Sequence, residues 1–165
     1  TVFEGENRIL IPSPKEVQGL YDEKPEMSAY EVTEKLLKAL DDNIYDFIVL
    51  NFANMDMVGH TGVMEAAIKA VEAVDSCMGR ILQKLRDMGG VAIVTADHGN
   101  ADDLLEDDGS PMTAHSMNEV PLVIMGLRDQ VRLKADGKLA DICPTALRIM
   151  GIEKPDEMTG ESLIG

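Results

Sequence analysis

Apolar residues recur at helical spacing in three stretches of this chain and run unbroken in three others. The first helical stretch begins near Ser28, which with Glu31 makes a capping-box pattern. Val32, Leu36, Leu37 and Leu40 follow at a 3.6-residue period, and Asp41-Asp42-Asn43 ends the run. A long helix is predicted over residues 63–88, with Met64, Ile68, Val71, Val74, Met78, Ile81, Leu82 and Leu85 as its buried stripe. Gly89-Gly90 terminates it. A last helix is predicted over residues 139–150, with Pro144 in its first turn and Gly151 at its end. The unbroken runs predict strands. Phe47-Ile48-Val49-Leu50, within residues 45–52, suits a strand buried on both faces. Residues 91–96 and 120–125 read the same way, the second opened by Pro121. Arg8-Ile9-Leu10-Ile11 is a short fourth candidate. Strand, helix, strand, loop, strand, helix predicts an α/β domain with partly parallel pairing.

Composition narrows the class. The 165 residues suit one domain, and at 45% hydrophobic they can fill a core. Aromatics make up only 4%, so Leu, Ile, Val, Ala and the 11 Met must do that packing. A formal net charge of −15 argues against nucleic acid and against an anionic membrane surface. No apolar run approaches a membrane span and no secretory signal is visible, so a cytoplasmic location is expected. Cys77 and Cys143 lie in helix-like apolar patterns without CxxC spacing. They read as small buried hydrophobes in a reducing compartment, with a disulfide between them left open. The chain opens on Thr1-Val2-Phe3 without an initiator Met and reads as a piece of something longer.

Chemistry gathers around the three histidines. His98 follows Asp97 where the strand Val91-Ala92-Ile93-Val94-Thr95-Ala96 stops, and Gly99-Asn100 comes next. Ligands of open α/β sheets bind at that carboxyl edge. His60 stands four residues after Asp56, so one helical turn would put both on one face, and Gly59 and Gly62 make a tight bend equally possible; either way the two can converge on a cation. His115 lies between Ala114 and Ser116, after an acidic loop over residues 102–108. Two Asp and three His make a mixed oxygen and imidazole donor set. That set suits Mn²⁺ or Zn²⁺ better than Ca²⁺, and without thiolates it is not a structural zinc clip. Five protein ligands exceed what one open catalytic metal needs and fall short of two. Satisfied loop histidines are the competing reading of the same residues.

The motifs Pro12-Ser13-Pro14-Lys15, Lys24-Pro25-Glu26-Met27-Ser28-Ala29, Asn51 through Gly62, Thr95 through Asp102, Thr113-Ala114-His115-Ser116 and Glu157-Met158-Thr159-Gly160 occur here in this order. Together they resemble the carboxyl-terminal part of cofactor-independent (2,3-bisphosphoglycerate-independent) phosphoglycerate mutase, of the alkaline phosphatase superfamily. The resemblance implies a partial domain of a three-layer sandwich, with a mainly parallel sheet and helices on both faces. It implies two Mn²⁺ in the parent enzyme, replaceable by Zn²⁺, Co²⁺ or Mg²⁺, and no organic cofactor. Asp56, His60 and His115 match the ligands of one metal, and Asp97 and His98 match two ligands of the other. Lys15 matches a lysine that binds the phosphate in transit.

The family's nucleophilic Ser, its partner Asp and its inserted substrate domain have no counterpart in this sequence. The resemblance therefore implies a mutase of 3- and 2-phosphoglycerate in glycolysis as the parent, a monomer, and a chain inactive by itself. An apolar edge left uncovered would favour self-association. Another phosphatase, phosphopentomutase or sulfatase of the superfamily, a non-catalytic metal-binding domain, and an acidic α/β domain with loop-capping histidines are the other readings.

Overall fold

The computed structural model describes residues 3–165 apart from 16, 18–20, 107, 113 and 130. The chain divides into two compact units, residues 1–88 with 98–120, and residues 89–97 with 121–165. Both helices and strands are present, as the α/β reading expects.

The first unit is built on three helices, α1 (Ala29–Asp42), α2 (Asn54–Gly59) and α3 (Met64–Met88). α1 begins where the sequence predicts, although Ser28 does not cap it. The Ser28 hydroxyl donates instead to the Pro12 carbonyl at 2.8 Å, tying down the preceding segment. Its end is Asn43, in the left-handed conformation that a short polar side chain tolerates. α1 and α3 pack together, and the ion pairs Arg80–Glu34 and Lys84–Asp41 bridge them.

α3 has close to the predicted extent, but its buried face includes only part of the predicted stripe, Val74 and Ile81. Ala66, Ala70, Ala73, Val74, Cys77 and Ile81 are buried, whereas Met64, Ile68 and Val71 are exposed. At 100° per residue the two sets lie on nearly opposite sides of the helix. The small side chains let α1 and α2 approach closely, so that side is covered and the bulkier one is not. Val58 of α2 is fully buried in a cluster with Met27, Ala66 and Ala70.

No strand forms over residues 45–52 or 8–11 among the described residues. A strand needs a ladder partner for its N–H and C=O groups, and neither segment has one. Leu10 and Val49 are 86% and 81% exposed, and Ile44 and Phe47 are exposed too. Ile9, Leu10, Phe47 and Val49 line a groove of about 360 Å³ whose floor includes Val32 and Leu36 of α1.

The second unit holds β1 (Ala92–Thr95), β2 (Leu122–Met125) and α4 (Ile142–Met150), which a 3₁₀ turn, Leu139–Asp141, precedes. The strands pair antiparallel, from Ala92 opposite Met125 to Thr95 opposite Leu122. The parallel pairing expected from the sequence is therefore absent from the sheet the described residues form. Pro121 stays outside the ladder, where its missing N–H costs nothing, and its carbonyl accepts the Thr95 hydroxyl at 2.9 Å.

Pro144 lies in the first turn of α4, as predicted. α3 and α4 each end at a left-handed glycine, Gly89 and Gly151. The start of α4 is locked from two sides. The Asp141 carboxylate accepts the N–H groups of Lys138 and Glu161 at 3.0 and 2.8 Å. The buried Thr145 hydroxyl donates to the Asp141 carbonyl and accepts the Leu163 N–H. Cys77 is buried, but Cys143 is exposed, because it lies on the open side of α4; both are free thiols.

Candidate metal centre

α2 sets the first donors. The burial of Val58 against α3 orients this short helix, and Asp56 and His60, one turn apart, share another side of it. The His60 N–H donates to the Asp56 carbonyl at 3.1 Å, so the turn is helical up to the histidine. The remaining donors come from the long connection between β1 and β2. Connections longer than about 12–15 residues without structure of their own are commonly functional. This one folds back on itself, with Gly99 and Ser116 forming an isolated antiparallel bridge. The bridge brings the neighbouring histidines together, and the rings of His98 and His115 stack with centroids 3.6 Å apart and planes 9° apart.

Asp56 Oδ1 is the meeting point. His60 Nε2 lies 3.1 Å from it, His115 Nε2 3.2 Å, and the Asn100 amide nitrogen 2.8 Å. Donor atoms of Asp56, His98 and His115 all lie within 4.8 Å of one another. Metal–oxygen and metal–imidazole bonds of about 2.0–2.2 Å put neighbouring ligand atoms about 3–3.5 Å apart. The Asp56–histidine separations match that spacing. A carboxylate oxygen with convergent imidazoles and no thiolate thus fits a divalent first-row cation.

The grouping differs from the sequence expectation in one respect. His98, matched there with Asp97, stacks here on His115. Asp97 is exposed and ends a segment of the second unit. Lys15 is exposed on a turn after Pro14. Thr113, the first residue of the Thr113-Ala114-His115-Ser116 motif, lies outside the described residues. Two side chains beside the centre were given no role in the sequence reading. Asn100 is one of them. Asp102 is the other, and it accepts the Asn118 amide and the Ser116 hydroxyl at 2.6 and 2.8 Å. Those two donors, Asn118 first, hold its carboxyl below the usual carboxylate range. They also staple the loop after His98 to the loop after His115.

The chain belongs to the Metalloenzyme superfamily, whose family model matches residues 1–154. Its similarity narrows further, to 2,3-bisphosphoglycerate-independent phosphoglycerate mutases. That of Acetivibrio thermocellus is 56% identical over 164 residues, covering 99% of this chain. That of Methanosarcina acetivorans, designated mutase 1, is 55% identical over 163 residues, covering 98%. Among solved structures, phosphoglycerate mutase of Leishmania mexicana at low cobalt concentration matches 94% of the chain, with a TM-score of 0.82 at 35% identity. The chain spans 31% of the length of each of these three relatives.

Proposed function

We propose that this chain is the metal-binding, carboxyl-terminal part of a phosphoglycerate mutase that interconverts 3-phosphoglycerate and 2-phosphoglycerate through a phosphoserine. The observation that carries the proposal is the convergence of Asp56 Oδ1 with the histidine nitrogens, in a chain that matches such mutases over nearly its whole length. Asp56, His60 and His115 would hold one divalent cation, and Asp97 and His98 would contribute to a second. Mn²⁺ is the proposed ion. Co²⁺ is the natural second probe, given the cobalt named for the Leishmania mexicana structure. Bound cations of this kind lower the pKa of a serine nucleophile and neutralise phosphoryl oxygens.

The chain's own residues then have separate tasks. Asp56 supplies a hard anionic oxygen, the histidines supply imidazole nitrogens, and Lys15 offers an ammonium to the phosphate in transit. In the forward transfer the bond from phosphorus to the 3-oxygen breaks as the bond to the serine oxygen forms. The serine oxygen–phosphorus bond then breaks as a bond from phosphorus to the 2-oxygen forms, the 2-hydroxyl giving up a proton and the serine regaining one, while the released 3-oxygen is left as a hydroxyl. This sequence has no counterpart of the nucleophilic Ser, so the chain alone is proposed to be inactive. In the whole enzyme the sheet is proposed to be the mainly parallel, helix-covered layer of a three-layer sandwich. The reaction belongs to glycolysis, which puts the enzyme in the cytoplasm. Among the described residues, no helix is long and apolar enough to cross a membrane.

A calorimetric Mn²⁺ titration of the chain tests the metal reading. Saturable binding is expected, and Asp56→Ala and His115→Ala should each weaken it by more than the about 10–100-fold that losing an outer partner of a ligand costs. An enzyme assay on the same sample should show no conversion of 3-phosphoglycerate. A wild-type chain that takes up no Mn²⁺ sinks the metal reading, and turnover by the chain alone sinks its proposed inactivity.

A further inference from the structure

We propose that Asn100 is a positioning residue for this centre, aligning the Asp56 carboxylate before any cation arrives. The proposal rests on the metal reading above and adds a residue that the motifs do not assign. Asn100 is 5% exposed, and its amide nitrogen donates to Asp56 Oδ1 at 2.8 Å. The same nitrogen is 3.3 and 3.5 Å from the two ring nitrogens of His60. It therefore rests against the ring rather than on one lone pair, and the Asp56 bond is the strong one. The opposite orientation of the amide would set its oxygen against a carboxylate oxygen, which can only accept.

The other end of the side chain is held by shape. A Cβ built on Gly59 would lie 2.1 Å from Asn100 Oδ1 and 2.9 Å from its Cγ. Gly59 is buried at the last position of α2, between Asp56 and the capping His60, so its backbone is held in place. The missing side chain at 59 is what lets Asn100 reach the carboxylate. Asn100 is also two residues after His98, on the loop that bridges to the His115 segment. One amide thus couples the donors of α2 to those of the loops, and it uses one lone pair of Oδ1 while leaving the rest of the carboxylate open.

The test has a metal-free arm and a metal arm. In the ¹⁵N-labelled chain with chelator, the Asn100 side-chain amide protons should exchange slowly, and Asp56→Ala should speed that exchange about ten-fold, the equivalent of one hydrogen bond. Unchanged exchange overturns the proposal. With Mn²⁺ alone as the probe, Asn100→Ala and Gly59→Ala should each weaken binding about 10–100-fold. The double variant should bind no more weakly than Asn100→Ala, because the new Cβ enters the space that the amide vacates. Thr61→Val removes another buried hydrogen bond of the same turn, the one from its hydroxyl to the Val58 carbonyl. It should lower stability and leave Mn²⁺ affinity near that of wild type. Wild-type affinity in Asn100→Ala, or equal losses in Asn100→Ala and Thr61→Val, overturns the positioning role. A wild-type chain that binds no Mn²⁺ defeats the metal reading, and the exchange arm still decides whether Asn100 holds Asp56.

Discussion

Asp56 and Val58 are two residues apart on one short helix and do opposite work. Val58 goes into the cluster of Met27, Ala66 and Ala70, and that burial turns Asp56 toward the histidines. Val58→Ala removes two buried methyl groups and leaves a cavity, at a cost of about 2 kcal/mol. Urea unfolding measures this directly, and a loss of less than about 0.5 kcal/mol would mean that the site collapses without resistance. Asp56, His98 and His115, which the structure brings together, were candidates in the sequence because Asp and His beside Gly, Ser and Thr in strand-end turns carry metal chemistry in their own functional groups. Asn100 was not readable in this way. An amide after Asp-His-Gly gains meaning only when Gly59 and the Asp56 carboxylate are seen around it. Cys143 was misjudged as buried for a related reason. The period of an apolar helix places a residue on a face but does not say which face is covered.

The helices were legible because their period survives in the packed structure. α1, α3 and α4 lie close to where the sequence puts them, and Pro144 and the terminal glycines keep their predicted places. The buried side of α3 was legible only in part: Val74 and Ile81 are buried as expected, but Met64, Ile68 and Val71 fall outside the contact, which small Ala and Cys side chains share. The strand expected at residues 45–52 failed for want of a partner. Apolarity licenses a buried strand, whereas the ladder has to come from elsewhere in sequence.

The start of α4 carries a pH signature. The N–H of Glu161, and then that of Lys138, hold the Asp141 carboxyl below the usual carboxylate range. A carboxyl with a depressed folded pKa stabilises above its unfolded value, and that contribution disappears as pH falls through the folded one. The gap in melting temperature between wild type and Asp141→Asn should therefore be widest near neutrality and close as pH drops below about 4. A gap that does not change with pH would show that the carboxylate charge contributes nothing there.

For the whole molecule, charge and uncovered apolar surface pull in opposite directions. Ile9, Leu10, Phe47 and Val49 stand exposed around the groove beside α1, and Met64, Ile68 and Val71 form an exposed stripe on α3. Against association stands a formal charge of −15, whose repulsion is screened beyond about 10 Å in 0.1 M salt. Sedimentation of the isolated chain should therefore show concentration-dependent self-association that strengthens as salt is added. A monomer at every concentration and salt level would mean that these faces are too dispersed to pair.

The order of the donors along the chain has a consequence of another kind. Asp56 and His60 precede the excursion through residues 89–97, and His98 and His115 follow it, so the first unit is assembled from two lengths of chain. A cation gripping both lengths would close a covalent-like ring, as a disulfide does, and so withdraw freedom from the unfolded chain. Its binding energy would become folding energy, about 2.7 kcal/mol at a free ion concentration a hundred times the dissociation constant. The supply of that ion would then set how long the fold persists as well as whether the chemistry can run.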